Sequence, residues 1–418
     1  MDSSSRTREA GAPLRVRSRV WVCALILSAI APTVSVVHAD WTQFRFDAAH
    51  DGARPDETIL SPGNVANLTA RWRTNIGGGC FASASVSGGK LYTADTGSAN
   101  GKLHALDTAT GRELFTFPPD ALPGDYAYAS PAVANGVVYF GVNRAAPVVF
   151  AVNASTGRQV WSHAGSSGAN IISSPTLDSS HVYVAFTDGT IQALRIKNGH
   201  PIWSVTHAGG AYSSPAVANG RLYIAIHNSG LLALDAASGS ELWLAPMPGP
   251  QWSSPSVQDG RVFVGSRDDH KLYAFDAVSG AQLWNVTTTD AVQASPSVSN
   301  GVVYIGNNSG DLYAVIAATG HVLWRTAVSP GFALMSSPTV ANGVVYVGSS
   351  LNASATQFDG KLYAVDEASG QVLFSVVVSQ GQAQARSVNA SPTVDGGIVY
   401  IPNSADGTVA AFGLDAAK

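Results

Sequence analysis

Residues 213–243 read SSPAVANGRLYIAIHNSGLLALDAASGSELW. Three apolar runs, SSPAV, RLYIAI and LLALDA, are separated by Asn219-Gly220 and Asn228-Ser229-Gly230, and a tight Ser238-Gly239 turn precedes a fourth run carrying Trp243. Short β-branched and aromatic runs bounded by Asn-Gly and Ser-Gly are strands joined by hairpin turns, in which glycine supplies the positive φ. Such a unit cannot bury both of its faces alone, so its surroundings decide the fold.

The unit recurs. Copies begin near Ser83, Ser130, Ser174, Ser214, Ser254, Ser295, Ser337 and Ser391. Pro131, Pro175, Pro215, Pro255, Pro296, Pro338 and Pro392 stand 44, 40, 40, 41, 42 and 54 residues apart, and the first copy lacks the proline. The last copy ends before any Trp strand, whereas NLTARWRT near the start offers a Trp strand without its three predecessors. A split repeat of this kind predicts a closed ring, all-β, of eight four-stranded antiparallel blades, with residues 69–74 completing the blade begun at Ser391. Closure leaves no unpaired sheet edge at the seam, whereas a solenoid would need caps at both ends. Trp72, Phe115, Trp161, Trp203, Trp243, Trp284, Trp324 and Phe374 recur once per copy after the turn glycine. Their regularity points to packing between neighbouring blades rather than to a cofactor.

Charged residues are only 12% of the chain, about half the usual share of roughly 25%. Residues 1–39 have the form of a secretion signal: Arg15, Arg17 and Arg19 precede the apolar run WVCALILSAIAPTVSVV, and Val37-His38-Ala39 offers a small-residue cleavage site. The expected mature chain is then a single domain over 40–418, without a membrane span and monomeric. Cleavage removes five Arg and two acidic residues, leaving 19 basic against 26 acidic side chains, a net charge of −7 that argues against nucleic acid as partner. Of the two cysteines only Cys80 remains, so stability rests on the core rather than on a disulfide. Cys80 itself reads as a buried small side chain, with a reactive thiol as the alternative.

The small-residue SP strand, VxxGxVY and LxALDAxTGxxLW resemble the pyrroloquinoline-quinone (PQQ) type repeat of quinoprotein-like propellers, over residues 64–414. DWTQFRFDAAHDG and GNVANLTARW are similar to the leading segment of quinoprotein dehydrogenases of the polyvinyl-alcohol dehydrogenase group. The resemblance implies the propeller but not its use, since that fold serves PQQ-dependent dehydrogenases and also scaffolds such as the outer-membrane assembly lipoprotein of Gram-negative bacteria. A catalytic member would need a carboxylate and an amide to hold calcium on the quinone, an Asp as base, cations for the cofactor's carboxylates and often a vicinal disulfide. The sequence has no adjacent cysteine pair and no CxxCH haem site.

The resemblance puts the SP strand innermost, so the residues three before each proline should ring the channel mouth: Phe81, Tyr128, Ile172, Tyr212, Trp252, Gln293, Met335 and Asn389. This ring contains no acid and no base. Loops on the same face carry Asp95, Arg144, Asp188, Asn228, Arg267-Asp268-Asp269-His270, Asn307-Asn308, Asp359 and, in a long connection, Gln382, Gln384 and Arg386. Asp188, Asp268 or Asp359 leaning inward would supply the acid that the ring lacks. The spacing of the Arg267–His270 cluster matches no metal motif. The reading is an exported binding or assembly scaffold in which Tyr128, Tyr212, Trp252, Gln293 and Asn389 hold a protein segment or small molecule, with Arg386 or Arg267 for an anionic group. The alternative is a dehydrogenase of alcohols or polyols using PQQ with calcium. A carbohydrate-binding propeller also fits the aromatic ring, without a sequence feature that favours it.

Overall fold

The computed structural model describes residues 40–96, 101–120, 124–351, 357, 359–379 and 387–415. The signal sequence expected at 1–39 and the loop residues Gln382, Gln384 and Arg386 lie outside them. No helix among the described residues is long and apolar enough to cross a membrane.

Eight sheets form, one per repeat, seven of four strands and one of five. In the blade that begins at Ser214 the strands are Ala216–Ala218, Arg221–Ile226, Gly230–Asp235 and Glu241–Pro246. All pair antiparallel, and Ala216, Tyr223, Ala233 and Trp243 stand in one row across the blade. The two middle strands are buried on both faces because a blade lies against each side, so they are apolar almost throughout rather than alternating. Only the outermost strand is half exposed. The core is therefore a series of layers between neighbouring blades, such as Tyr223 and Leu231 against Val257, Val262 and Phe275.

The ring closes as the split repeat predicts. Leu68–Asn75 pairs antiparallel with Thr408–Leu414, from Leu68 opposite Leu414 to Asn75 opposite Thr408. A second closure is made by side chains. The backbone N–H of each pre-proline serine, or of its equivalent Ser83, donates to the hydroxyl oxygen of the next blade's serine, from Ser83 through Ser130, Ser174, Ser214, Ser254, Ser295, Ser337 and Ser391 back to Ser83, at 2.8–3.2 Å. At the rim, the recurrent aromatic rings lie over the turn glycine of the following blade: a Cβ on Gly280 would fall 2.6 Å from Trp243. Trp72, Trp161, Trp203, Trp284 and Trp324 also donate their indole N–H to a backbone carbonyl of that blade at 2.8–3.1 Å.

The leading segment is no part of any repeat, and it goes inside the ring. Between Trp41 and Arg54 it visits the eight inner strands in order. Val86, Val133, Val217, Val257, Val298 and Val340 donate their N–H groups to the carbonyls of Trp41, Thr42, Ala48, Ala49, Asp51 and Gly52. Leu177 N–H donates to Gln43 Oε1 at 2.9 Å, and Arg54 Nη1 donates to the Val394 carbonyl at 3.2 Å. Ala53–Arg54 becomes a fifth, parallel strand on Thr339–Ala341. Edge groups that would otherwise line an open channel are thus satisfied by the chain itself.

Charges are carried into the interior with this turn of chain. Arg45 donates to the carbonyls of His50, Ser295, Pro296 and Pro338 and to the Ser297 hydroxyl. Burial pulls its guanidinium down to about 9, pulls the His50 imidazole down to about 3, and pushes the Asp51 carboxyl up to about 7.

Candidate functional site at the channel mouth

One end of the channel remains open as a cavity of about 480 Å³, within the range of small-molecule sites. It is lined by the eight residues Phe81, Tyr128, Ile172, Tyr212, Trp252, Gln293, Met335 and Asn389, by the eight ring serines, and by Phe44. The repeat register explains the geometry: a position three residues before the inner strand is the same place in every blade, so eight unrelated side chains are brought round one opening. Phe44 arrives differently, from the leading segment, with its ring edge-on to His50 at 5.3 Å between centroids.

The mouth is polarised around its circumference. Phe81 and Tyr128, from the first two blades, pack edge-to-face at 5.4 Å, and Tyr126 supports Tyr128 at 5.2 Å. Tyr212 and Trp252, from the fourth and fifth, pack at 5.1 Å, with His227 behind Tyr212 at 4.7 Å. Phe81, Tyr128 and Trp252 stay 39%, 37% and 40% exposed and stand together at one opening. The sixth and eighth blades contribute amides instead, Gln293 and Asn389. The Asn389 side-chain oxygen is buried without a hydrogen-bond partner among the described residues.

The charged loop residues are turned to other tasks. Asp95 is buried and accepts from the N–H groups of Gly101 and Lys102 and from His104 Nε2 at 2.9 Å, while His104 Nδ1 meets Glu113 at 2.6 Å. Burial alone would lower the His104 imidazole, but the two carboxylates raise it overall. Arg144 pairs with Asp125 at 3.0 Å, Asp311 with Arg325 at 2.8 Å and Asp359 with Lys361 at 2.8 Å, the last also accepting from Ser329 and Ser349. Asp188 caps the Thr190 N–H. Arg267 and Asp268 lie exposed on their loop. None of Asp188, Asp268 and Asp359 lines the cavity, so none brings to the ring the acid that an inward lean would have supplied, and Arg267 does not line it either. The physical reason is that each of Asp188 and Asp359 is committed to a donor in its own loop or on an adjacent strand. No group of three His, Cys, Asp or Glu among the described residues is arranged to hold a metal ion.

Cys80 is fully buried, its sulfur 2.9 Å from the Thr93 hydroxyl and 3.2 Å from the Ala94 carbonyl. Burial pushes the thiol up to about 12, so it is a packing residue.

The sequence missed Phe44 and the course of its segment. The available signal was negative: DWTQFRFDAAHDG matches no strand of the repeat, and a segment this rich in aromatic residues with no blade to join must be buried elsewhere.

The family profile described as "Outer membrane protein assembly factor BamB" matches residues 63–211, 188–293 and 270–417 of the chain. A tetrathionate hydrolase of Acidithiobacillus ferrooxidans is 34% identical over 116 residues, which is 27% of this chain; the match spans about a fifth of that relative, 21% of its length. Among solved structures, BamB from Moraxella catarrhalis superposes with a TM-score of 0.65 at 18% identity, over 83% of this chain and 99% of that one. Quinohemoprotein alcohol dehydrogenase ADHIIG from Pseudomonas putida HK5 gives 0.74 at 16% identity, over 91% and 81%. The corresponding enzyme from Comamonas testosteroni gives 0.73 at 16%, over the same shares. At these identities the likeness is one of fold.

Proposed function

The chain belongs to the outer membrane protein assembly factor BamB family, built on the PQQ-type repeat, and on that premise we propose that it is a non-catalytic binding or assembly scaffold working through the channel mouth. One observation carries the reading: among the described residues the mouth is an aromatic, apolar, amide and hydroxyl surface without a carboxylate, ammonium, guanidinium or imidazole in its lining, set on a channel stopped by the chain's own leading segment. Tyr128, Tyr212, Trp252, Gln293 and Asn389 are the residues assigned to binding. Arg386, outside the described residues, keeps the assignment that the sequence suggests for it, an anionic group on the partner. Export, to the periplasm or beyond the cell, follows from the signal-like residues 1–39 and belongs to the same proposal, as does a monomeric state.

The second reading, a PQQ-dependent alcohol or polyol dehydrogenase passing electrons to a separate acceptor, is supported by the similarity of DWTQFRFDAAHDG to the leading segment of such enzymes. The mouth does not fit the cofactor. A polyanionic quinone with calcium needs carboxylate ligands for the metal and cations for its own acids. Beside its aromatic and apolar side chains, the described lining offers only uncharged polar groups, chiefly amides and hydroxyls. A dye-linked assay of alcohols and polyols, run on the purified chain with calcium and PQQ, tests the proposal. No turnover above the dye blank is expected; turnover that is lost in Trp252→Ala would overturn the scaffold reading.

A further inference from the structure

We propose that the mouth is a site for a neutral saccharide, a short run of sugar rings stacked on the two aromatic pairs and hydrogen-bonded by the serine ring and the amides. This rests on the binding reading above and names the ligand class.

Four features of the mouth converge. Among the described residues its lining is uncharged, so a charged ligand would leave water without gaining a counter-charge from them. Its aromatic pairs, Phe81 with Tyr128 and Tyr212 with Trp252, stand on different blades of one opening, with the C–H-rich surface of a sugar ring as their natural complement. Its floor carries eight serine hydroxyls. Each already accepts a backbone N–H from its neighbour, and among the described residues none donates its own hydrogen to a protein acceptor. Finally, the Asn389 oxygen is an acceptor without a donor among the described residues. An apolar ligand would leave these donors and that acceptor unpaired, at about 1–3 kcal/mol for each buried group, whereas a sugar supplies both hydroxyl donors and oxygen acceptors.

The leading segment decides between a sugar and an extended peptide. A peptide entering a propeller channel would pair with the exposed inner edges of the blades. Those edges are taken: the N–H groups of Val86, Val133, Val217 and Val257 already donate to Trp41, Thr42, Ala48 and Ala49. What the channel still offers is side-chain hydroxyl, amide and aromatic surface, and about 480 Å³ in which to use it.

The purified full chain would be screened on an array of neutral and anionic oligosaccharides, and hits followed by saturation-transfer NMR and calorimetry. A proline-rich peptide and a trigalacturonate serve as the non-sugar and anionic arms. Neutral oligosaccharides are expected to bind, and Trp252→Ala or Tyr212→Ala to weaken them about tenfold, the equivalent of about 1.4 kcal/mol. Trp252→Phe, which keeps a stacking face at a half-exposed site, should retain most of the affinity and guards against misfolding of the Ala variant. Preference for the peptide or for the anionic sugar, lost in Trp252→Ala, overturns the saccharide assignment and leaves the mouth as the binding face. Neutral sugars that bind equally well to both Ala variants overturn the location. Binding by no probe of any class overturns both.

Discussion

If the rings that lie over the turn glycines hold neighbouring blades together, then two glycines with the same backbone conformation must differ sharply in their tolerance of a methyl group. Gly280 and Gly260 make that comparison, with φ of +72° and +73°. A Cβ on Gly260 meets nothing within 4 Å, whereas one on Gly280 meets three atoms of the Trp243 indole at 2.6, 2.7 and 3.0 Å. Ala at either site incurs the left-handed penalty of about 1–2 kcal/mol. At Gly280 it must also displace a packed indole, for which overpacking adds about 1–3 kcal/mol. With an unfolding entropy of about 2.1 cal/mol/K per residue, a chain of this size loses about 1.3 °C in Tm per kcal/mol. Gly260→Ala should therefore lower Tm by about 1–3 °C and Gly280→Ala by about 3–6 °C in calorimetric scans at one heating rate. Adding Trp243→Leu removes the obstacle, so the double variant should be more stable than the sum of the single losses predicts. Equal losses at the two glycines, or strict additivity in the cycle, would refute the ring-on-glycine account of blade packing.

The interior turn of chain makes its own prediction: Arg45→Met strands the carbonyls of Ser295, Pro296 and Pro338, so denaturant melts should show a loss of about 3–5 kcal/mol, and an unchanged midpoint would mean that the segment is not held this way. Cys80 should resist iodoacetamide in the native chain at pH 8 and react once the chain is unfolded; labelling of the native chain would contradict the burial that pushes its thiol up to about 12. His104, raised overall by Asp95 and Glu113, contributes stability that is complete below the imidazole's unfolded pKa and is lost as pH rises through the folded one. The Tm advantage of the wild type over His104→Gln should therefore shrink from pH 6 to pH 9, and an advantage that grows with pH would reverse the assignment.

The fold was legible because the repeat indexes the blades. Once Pro215 and its counterparts are aligned, Tyr212 and Trp252 must share one rim, and the orphan NLTARWRT strand has one place to go. What escaped was whatever does not repeat. The leading segment pairs through its own carbonyls, which any sequence possesses, and Arg45 and His50 look like surface residues until the ring closes over them. The loop acids misled for a related reason: composition marks Asp188 and Asp359 as charges on the functional face, whereas hydrogen bonds to Thr190, and to Ser329 and Ser349, turn them away from it. The serine ring was visible as letters but not as chemistry, since the spare hydroxyl hydrogens emerge only once each oxygen is known to accept its neighbour's N–H.

The central claim is that the mouth is built for neutral binding rather than for a metal-bound quinone, and equilibrium dialysis of the purified chain against PQQ with calcium tests it most directly. The account predicts no quinone retained above the dialysis blank, in wild type and Trp252→Ala alike. One quinone held per chain, dependent on calcium and lost in Trp252→Ala, would contradict it.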